Sequence, residues 1–289
     1  MAKLKTGSIN KSDLVEYLES QSDFAFEIAA LRVLHAHGFN CEHGGSYDDP
    51  LTQKSREFDL RATKTFGRIN FHLAVECKNL QPHFPLLISC LPRRRAESYH
   101  EIIAPTGQGQ AFLGPQPRAK AIRLTARQTV YREKERVGKS TAQVGRQNSD
   151  NEILSNDSEV YQKWTQAFSS AQDLIDRAWR EEDDLHAIFP LLVIPDKTLW
   201  LTEFDAAGSR IVDPHQVDRC SYFIDKHYFA GDKLTGFAYC VSHLEFVTMT
   251  GLENILDDLF DEGSGVFPIN LADLTVNETN AVSGSRADF

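Results

Sequence analysis

Apolar positions along this chain switch between two periods, and the switches mark out its elements. Phe24, Ile28, Leu31 and Leu34 recur at helical spacing after Ser22-Asp23, residues suited to cap a helix, and the pattern stops at Gly38. Strand-like runs follow near Glu42 to Tyr47, at Ser55 to Arg61 and at Phe71 to Lys78. Far downstream, Val160, Trp164, Phe168, Ala171, Ile175 and Ala178 return to the helical period over some six turns. Ala187 to Ile194 is a continuous apolar run, as expected of a strand buried on both faces. Pro195-Asp196-Lys197-Thr198 then predicts a turn into Leu199 to Phe204, most simply a hairpin. Cys220 to Phe229 and Phe237 to Thr248 read as further strands, Leu252 to Phe260 as a short acidic helix, and the last twenty or so residues as a frayed end.

Two of these strand-like runs carry charge amid apolar sequence. Asp59 lies in Ser55-Arg56-Glu57-Phe58-Asp59-Leu60-Arg61, and Glu76-Cys77-Lys78 ends the next run. Side chains two apart on a strand share a face, so Glu76 and Lys78 project together while Cys77 turns away. With Asp59 at the same level on the neighbouring strand, two carboxylates and the Cys77 carbonyl converge, a set that suits a hard cation such as Mg²⁺. Glu27 falls on the apolar stripe of the first helical segment, where an acid needs a partner.

The pattern resembles the PD-(D/E)XK nuclease superfamily: an acid on one strand, then acid-x-Lys on the next, with Phe58 where the family name has proline. The resemblance implies an α/β fold, a restriction-endonuclease-like core whose central mixed sheet is flanked by helices in the order helix-strand-strand-strand-helix-strand, here with a basic insertion. It implies a metal-dependent endonuclease acting on DNA, with Asp59, Glu76, Cys77 and Glu27 as the metal set, Mg²⁺ as the cofactor and Mn²⁺ as its substitute. Lys78 would position or deprotonate the attacking water, with Glu76, Asp59 and Glu27 as the other catalytic residues. The expected organisation is residues 1–79 as the first half of the core, 80–157 as the irregular insertion, 158–265 as the second half with extra strands and a short helix, and 266–289 as a flexible tail.

Charge changes the picture in the middle of the chain. The net charge is −10, yet residues 92 to 146 carry 12 basic and 4 acidic side chains. Arg93, Arg94, Arg95, Arg118, Lys120, Arg123 and Arg127 are the candidate contacts to a phosphate backbone, DNA more than RNA. This segment follows Glu76 directly and is expected close to the site. Its prolines and Gly107-Gln108-Gly109-Gln110 predict irregular structure, with a helix over Ala119 to Arg136 and a polar linker over Gln147 to Ser158. The acidic last third suits a protein partner or a homo-oligomer.

No apolar run is long enough to span a membrane, the first residues lack an apolar signal core, and the five cysteines are scattered and odd in number. A cytoplasmic protein with reduced thiols is the expectation, with no membrane partner. Gly138-Lys139-Ser140-Thr141 mimics the end of a P-loop but has Glu133 where that loop needs glycine. His35, His37, Cys41 and His43 are too cramped for a zinc set. The rival functional reading is a catalytically silent nucleic-acid-binding or assembly module built on a nuclease-like fold.

Overall fold

The computed structural model describes residues 7–49, 54–106, 119–147, 151–180, 184–231 and 236–260. The elements run α1 (Lys11–Ser20), α2 (Phe24–Ala36), β1 (Asn40–Asp48), β2 (Ser55–Phe66), β3 (Ile69–Cys77), β4 (Leu86–Pro92), β5 (Tyr99–Pro105), β6 (Ala119–Thr125), β7 (Arg136–Arg146) and β8 (Ile153–Ser155). They continue with α3 (Ser158–Ala178), β9 (Leu185–Ile194), β10 (Leu199–Phe204), β11 (Arg210–Gln216), β12 (Arg219–Ala230), β13 (Phe237–Thr248) and α4 (Met249–Phe260). The protein is mixed α/β, with one large mixed sheet flanked by a few helices.

The strands follow the order β1-β2-β3-β9-β13-β12-β7-β4-β10-β11, with β5, β6 and β8 branching off this path. β1, β2 and β3 are successive antiparallel neighbours, and β9 then lies parallel to β3. β9 is buried at every position because it is covered on both faces. Alternate residues of the central strands serve two cores. Ala74, Leu192 and Phe246 pack beneath α3 with Ala167, Ala171 and Ile175. Val75, Val193 and Val247 pack beneath α2 and α4 with Leu34, Leu252 and Leu256.

Several expectations change once the chain folds. The inward face of α2 centres on Ala30 and Leu34, and Phe24 is exposed. This helix is apolar nearly all round, so its period did not fix its orientation. Among the described residues of 86–155, the five strands β4 to β8 replace much of the expected irregular structure, and β6 occupies the start of the expected Ala119 to Arg136 helix. The prolines stand at strand ends (Pro85, Pro92, Pro105), while Leu86, Ile88 and Cys90 alternate inward with period two. The expected hairpin also fails: β10 pairs in parallel with β4 and antiparallel with β11. One edge of β9 is taken by β3 and the other by β13 and β5, leaving no place for β10.

Beside the future site, β1 is pinned closely to β2. A β-carbon at Gly45 would lie 2.3 Å from the Phe58 ring, so this position admits only glycine without a shift. The Phe58 ring thereby stays under the Arg61 guanidinium, 4.2 Å from its centroid. All five cysteines are free. No helix among the described residues is long and apolar enough to cross a membrane. The Gly107 to Gln110 stretch and the 266–289 tail lie outside the described residues.

Candidate functional site

The register of β2 on β3 pairs Leu60 with Val75 and Arg61 with Ala74. Continued by one residue, it sets Asp59 opposite Glu76, on the face covered by α3. The two carboxylates are therefore cross-strand neighbours, about 5 Å apart at Cβ. Asp59 Oδ2 accepts the Cys77 backbone N–H at 2.8 Å. The Cys77 side chain packs in the opposite core, so only its backbone belongs to the site.

The cation between these carboxylates comes from α3. Lys163 Nζ lies 2.6 Å from Asp59 Oδ2 and 3.4 Å from Glu76 Oε2. Burial works against the charge on Lys163, but Asp59 and Glu76 outweigh it and hold its pKa above the ordinary lysine value. Two carboxylates still face one ammonium. Glu76 is 1 % exposed, and its Oε1 has no hydrogen-bond partner among the described residues. Desolvation first, and the neighbouring Asp59 charge second, push the Glu76 carboxyl well above the usual carboxylate range.

Lys78 stands at the rim. It follows the last residue of β3, its N–H donates to the Val193 carbonyl, and its Nζ lies 3.4 Å from Asp23 Oδ2 and 3.2 Å from Glu159 Oε2. Asp23, just before α2, also accepts the Asn79 N–H at 2.7 Å and so fixes the chain leaving β3. Glu27 pairs with His43 Nε2 at 3.0 Å, and its charge is near enough to raise the Cys77 thiol pKa behind burial and Asp59. A second tether holds α3 down on the same strand: Arg61, two residues from Asp59, binds Asp173 Oδ2 at 2.7 Å and Ser170 Oγ at 3.0 Å.

The structure thus brings Asp59, Glu76 and the Cys77 backbone together, while Lys78 pairs with Asp23 and Glu159 and Glu27 with His43 instead of with these acids; sequence reasoning missed Lys163, Asp23, Glu159 and His43. Lys163 carried a signal. It lies three residues after Val160 and four before Ala167, both buried, so it sits on the inward stripe of α3 and requires a carboxylate beneath it.

The basic segment is placed differently from expectation. β7 lies four strand steps from β3, and its Thr141 hydroxyl donates to Asp157 at the start of α3. Arg93 is 3 % exposed and bonds the Arg132 and Arg136 carbonyls and Glu135, so it is a structural arginine and not a surface contact. Arg94 is exposed and pairs with Glu97; Arg95 is exposed. Arg123 holds Glu101 and covers the Tyr99 ring, and Lys120 is half-buried on β6. Arg118 and the Arg127 side chain lie outside the described residues. Gly138 to Thr141 is interior to β7, which agrees with its rejection as a phosphate loop. Comparison with protein-family models, curated proteins and solved structures finds no match to this chain.

Proposed function

We propose that this chain is a metal-dependent nuclease that hydrolyses phosphodiester bonds of DNA at Asp59 and Glu76. The observation that carries this reading is the cross-strand carboxylate pair with a buried Glu76 Oε1 that no described residue satisfies. An all-oxygen set with surplus negative charge fits a hard divalent cation. Asp59, Glu76 and the Cys77 carbonyl would hold Mg²⁺ or Mn²⁺. Such an ion supplies Lewis-acid polarisation of the phosphate and a more acidic bound water. The succession α2-β1-β2-β3-α3-β9, with α2 and α3 on opposite faces, supports a restriction-endonuclease-like core.

The residues of this chain divide the remaining work. Water attacks phosphorus in line with the leaving sugar oxygen, whose bond to phosphorus breaks. Lys78, at the rim and half-exposed between Asp23 and Glu159, orients that water and offsets charge gathering on the phosphate. Lys163 is the internal counterion that keeps buried Glu76 and half-buried Asp59 together before substrate arrives. Glu27, oriented by His43, assists from the first turn of α2.

One observation favours the silent binding module: Lys163 already supplies a cation to both acids. Incubating the protein with supercoiled plasmid, linear single-stranded DNA and RNA in Mg²⁺, Mn²⁺ or EDTA separates the two readings. Metal-dependent cleavage that Lys78→Ala and Glu76→Gln both abolish is the expected result. DNA binding with no turnover in either metal would instead leave the module.

A further inference from the structure

Far from Glu76, the β12-β13 hairpin assembles a second donor set of different chemistry. His227 and Cys240 are directly opposed partners across these antiparallel strands. Their neighbours Tyr228 and Tyr239 face the core beneath α3, so His227 and Cys240 point to the other side of the sheet. The ladder is interrupted by a bulge between Phe223 and Lys226, where Asp225 takes φ 55. Two residues before His227, Asp225 is turned onto the same face, and its Oδ1 lies 3.2 Å from Cys240 Sγ and 3.5 Å from His227 Nε2. The three donor atoms all fall within 4.8 Å of one another.

These distances match what one small tetrahedral ion needs, since bonds of about 2.0–2.3 Å set its ligand atoms roughly 3.5 Å apart. An outer layer already orients the donors. Tyr99 Oη on β5 donates to Asp225 Oδ1 at 2.5 Å and lies 3.2 Å from Cys240 Sγ. Glu101, held by Arg123, accepts the Cys240 N–H at 2.7 Å. Arg123 in turn stacks 3.9 Å from the Tyr99 ring centroid. Outer hydrogen bonds of this kind fix ligand orientation at metal centres.

We propose that Asp225, His227 and Cys240 form a Zn²⁺-binding site, with water as the fourth ligand. A sulfur, a nitrogen and an oxygen donor suit a borderline-soft ion and disfavour Mg²⁺, the reverse of the oxygen-only Asp59 and Glu76 pair. On binding, the Cys240 thiol gives its proton to solvent and the thiolate bonds the metal. The exposed edges of Asp225 and His227 give the ion access, while buried Cys240 anchors it. Cys240 precedes Phe246 by six residues, and Phe246 shares its β9 partner Leu192 with Glu76, so the two cation sites are about 20 Å apart along β13. Zinc would fasten the bulged hairpin to β5 without reaching the carboxylate pair.

The test is a Zn²⁺ titration of the full chain carrying Glu76→Gln, which disables the carboxylate pair, followed by Co²⁺ substitution. The expected result is one ion per chain, a thiolate-to-cobalt charge-transfer band, and at least about tenfold weaker binding in Tyr99→Phe. His227→Ala, at an exposed position whose loss leaves the core intact, should abolish binding, with circular dichroism confirming the fold. Unchanged Zn²⁺ affinity in His227→Ala, or cobalt binding without the thiolate band, would overturn the site.

Discussion

Glu76 and Glu245 are each 1 % exposed, each has an Oε1 with no partner among the described residues, and each meets a cation from elsewhere in the chain. They pair with adjacent residues of β9, Leu192 and Leu191, and so stand at nearly the same level of the sheet on opposite faces. What separates them is charge balance. Glu245 faces Arg219 at 2.7 Å, and the second acid near that guanidinium, Asp258 at 3.9 Å, is largely exposed to solvent, so one buried carboxylate meets one guanidinium. Glu76 shares Lys163 with Asp59, two carboxylates against one ammonium. Arg219 also lines a cavity of about 720 Å³ with Arg93, Arg132 and Arg136, four arginines facing three acids, Glu135, Glu203 and Asp258. Burial of an acid therefore does not identify a cation site; a surplus of acid does.

The largest expected effect sharpens this comparison through chemistry. Glu76→Gln or Lys78→Ala should lower DNA cleavage by at least about a hundredfold, whereas Glu245→Gln in a protein that remains folded should leave the rate near that of the parent. Comparable losses in both glutamate variants, measured by plasmid nicking, would erase the distinction.

Stability comes next. Arg219→Met strands a buried carboxylate and should cost about 3–5 kcal/mol, with no recovery in Mg²⁺. Lys163→Met strands buried Glu76 beside Asp59 and should cost a comparable amount, about 3–5 kcal/mol, and added Mg²⁺ should restore most of it because the ion replaces the lost charge. Urea unfolding of both variants with and without the metal decides this, and a Lys163→Met protein indifferent to Mg²⁺ would count against the carboxylate pair as a cation site.

The pH response is smaller and has a definite sign. The folded Glu76 carboxyl has a raised pKa, so the native state holds a proton that the unfolded chain has already lost. Its contribution is greatest below the ordinary carboxylate pKa and is lost as pH rises through the folded value. The metal-free protein should lose stability over that interval, while Mg²⁺ affinity should rise by at most about tenfold per pH unit because binding displaces one proton. Glu76→Gln should flatten both trends in parallel thermal melts and Mg²⁺ titrations.

The smallest effect is expected at the exposed arginines. Arg95→Ala should change stability by less than about 0.5 kcal/mol, and Arg94→Ala, whose buried partner Glu97 keeps Lys139, by about 1 kcal/mol. Each that touches backbone phosphate should reduce the slope of log affinity against log salt by about 1. A slope unchanged in both would remove this surface from the DNA path.

By itself the sequence determined the periods, and with them the strand character of residues 55–61, 71–77 and 187–194 and the long helix α3. These are local properties, set by where successive side chains point along one element. The tertiary structure alone decided which elements meet. It put Lys163 rather than Lys78 between the acids, sent β10 to β4 instead of β9, and buried Arg93. Strand partners and ion pairs across 87 or 104 residues, the separations of Lys163 from Glu76 and Asp59, are chosen by the packing of whole faces, and no period along the chain encodes that choice.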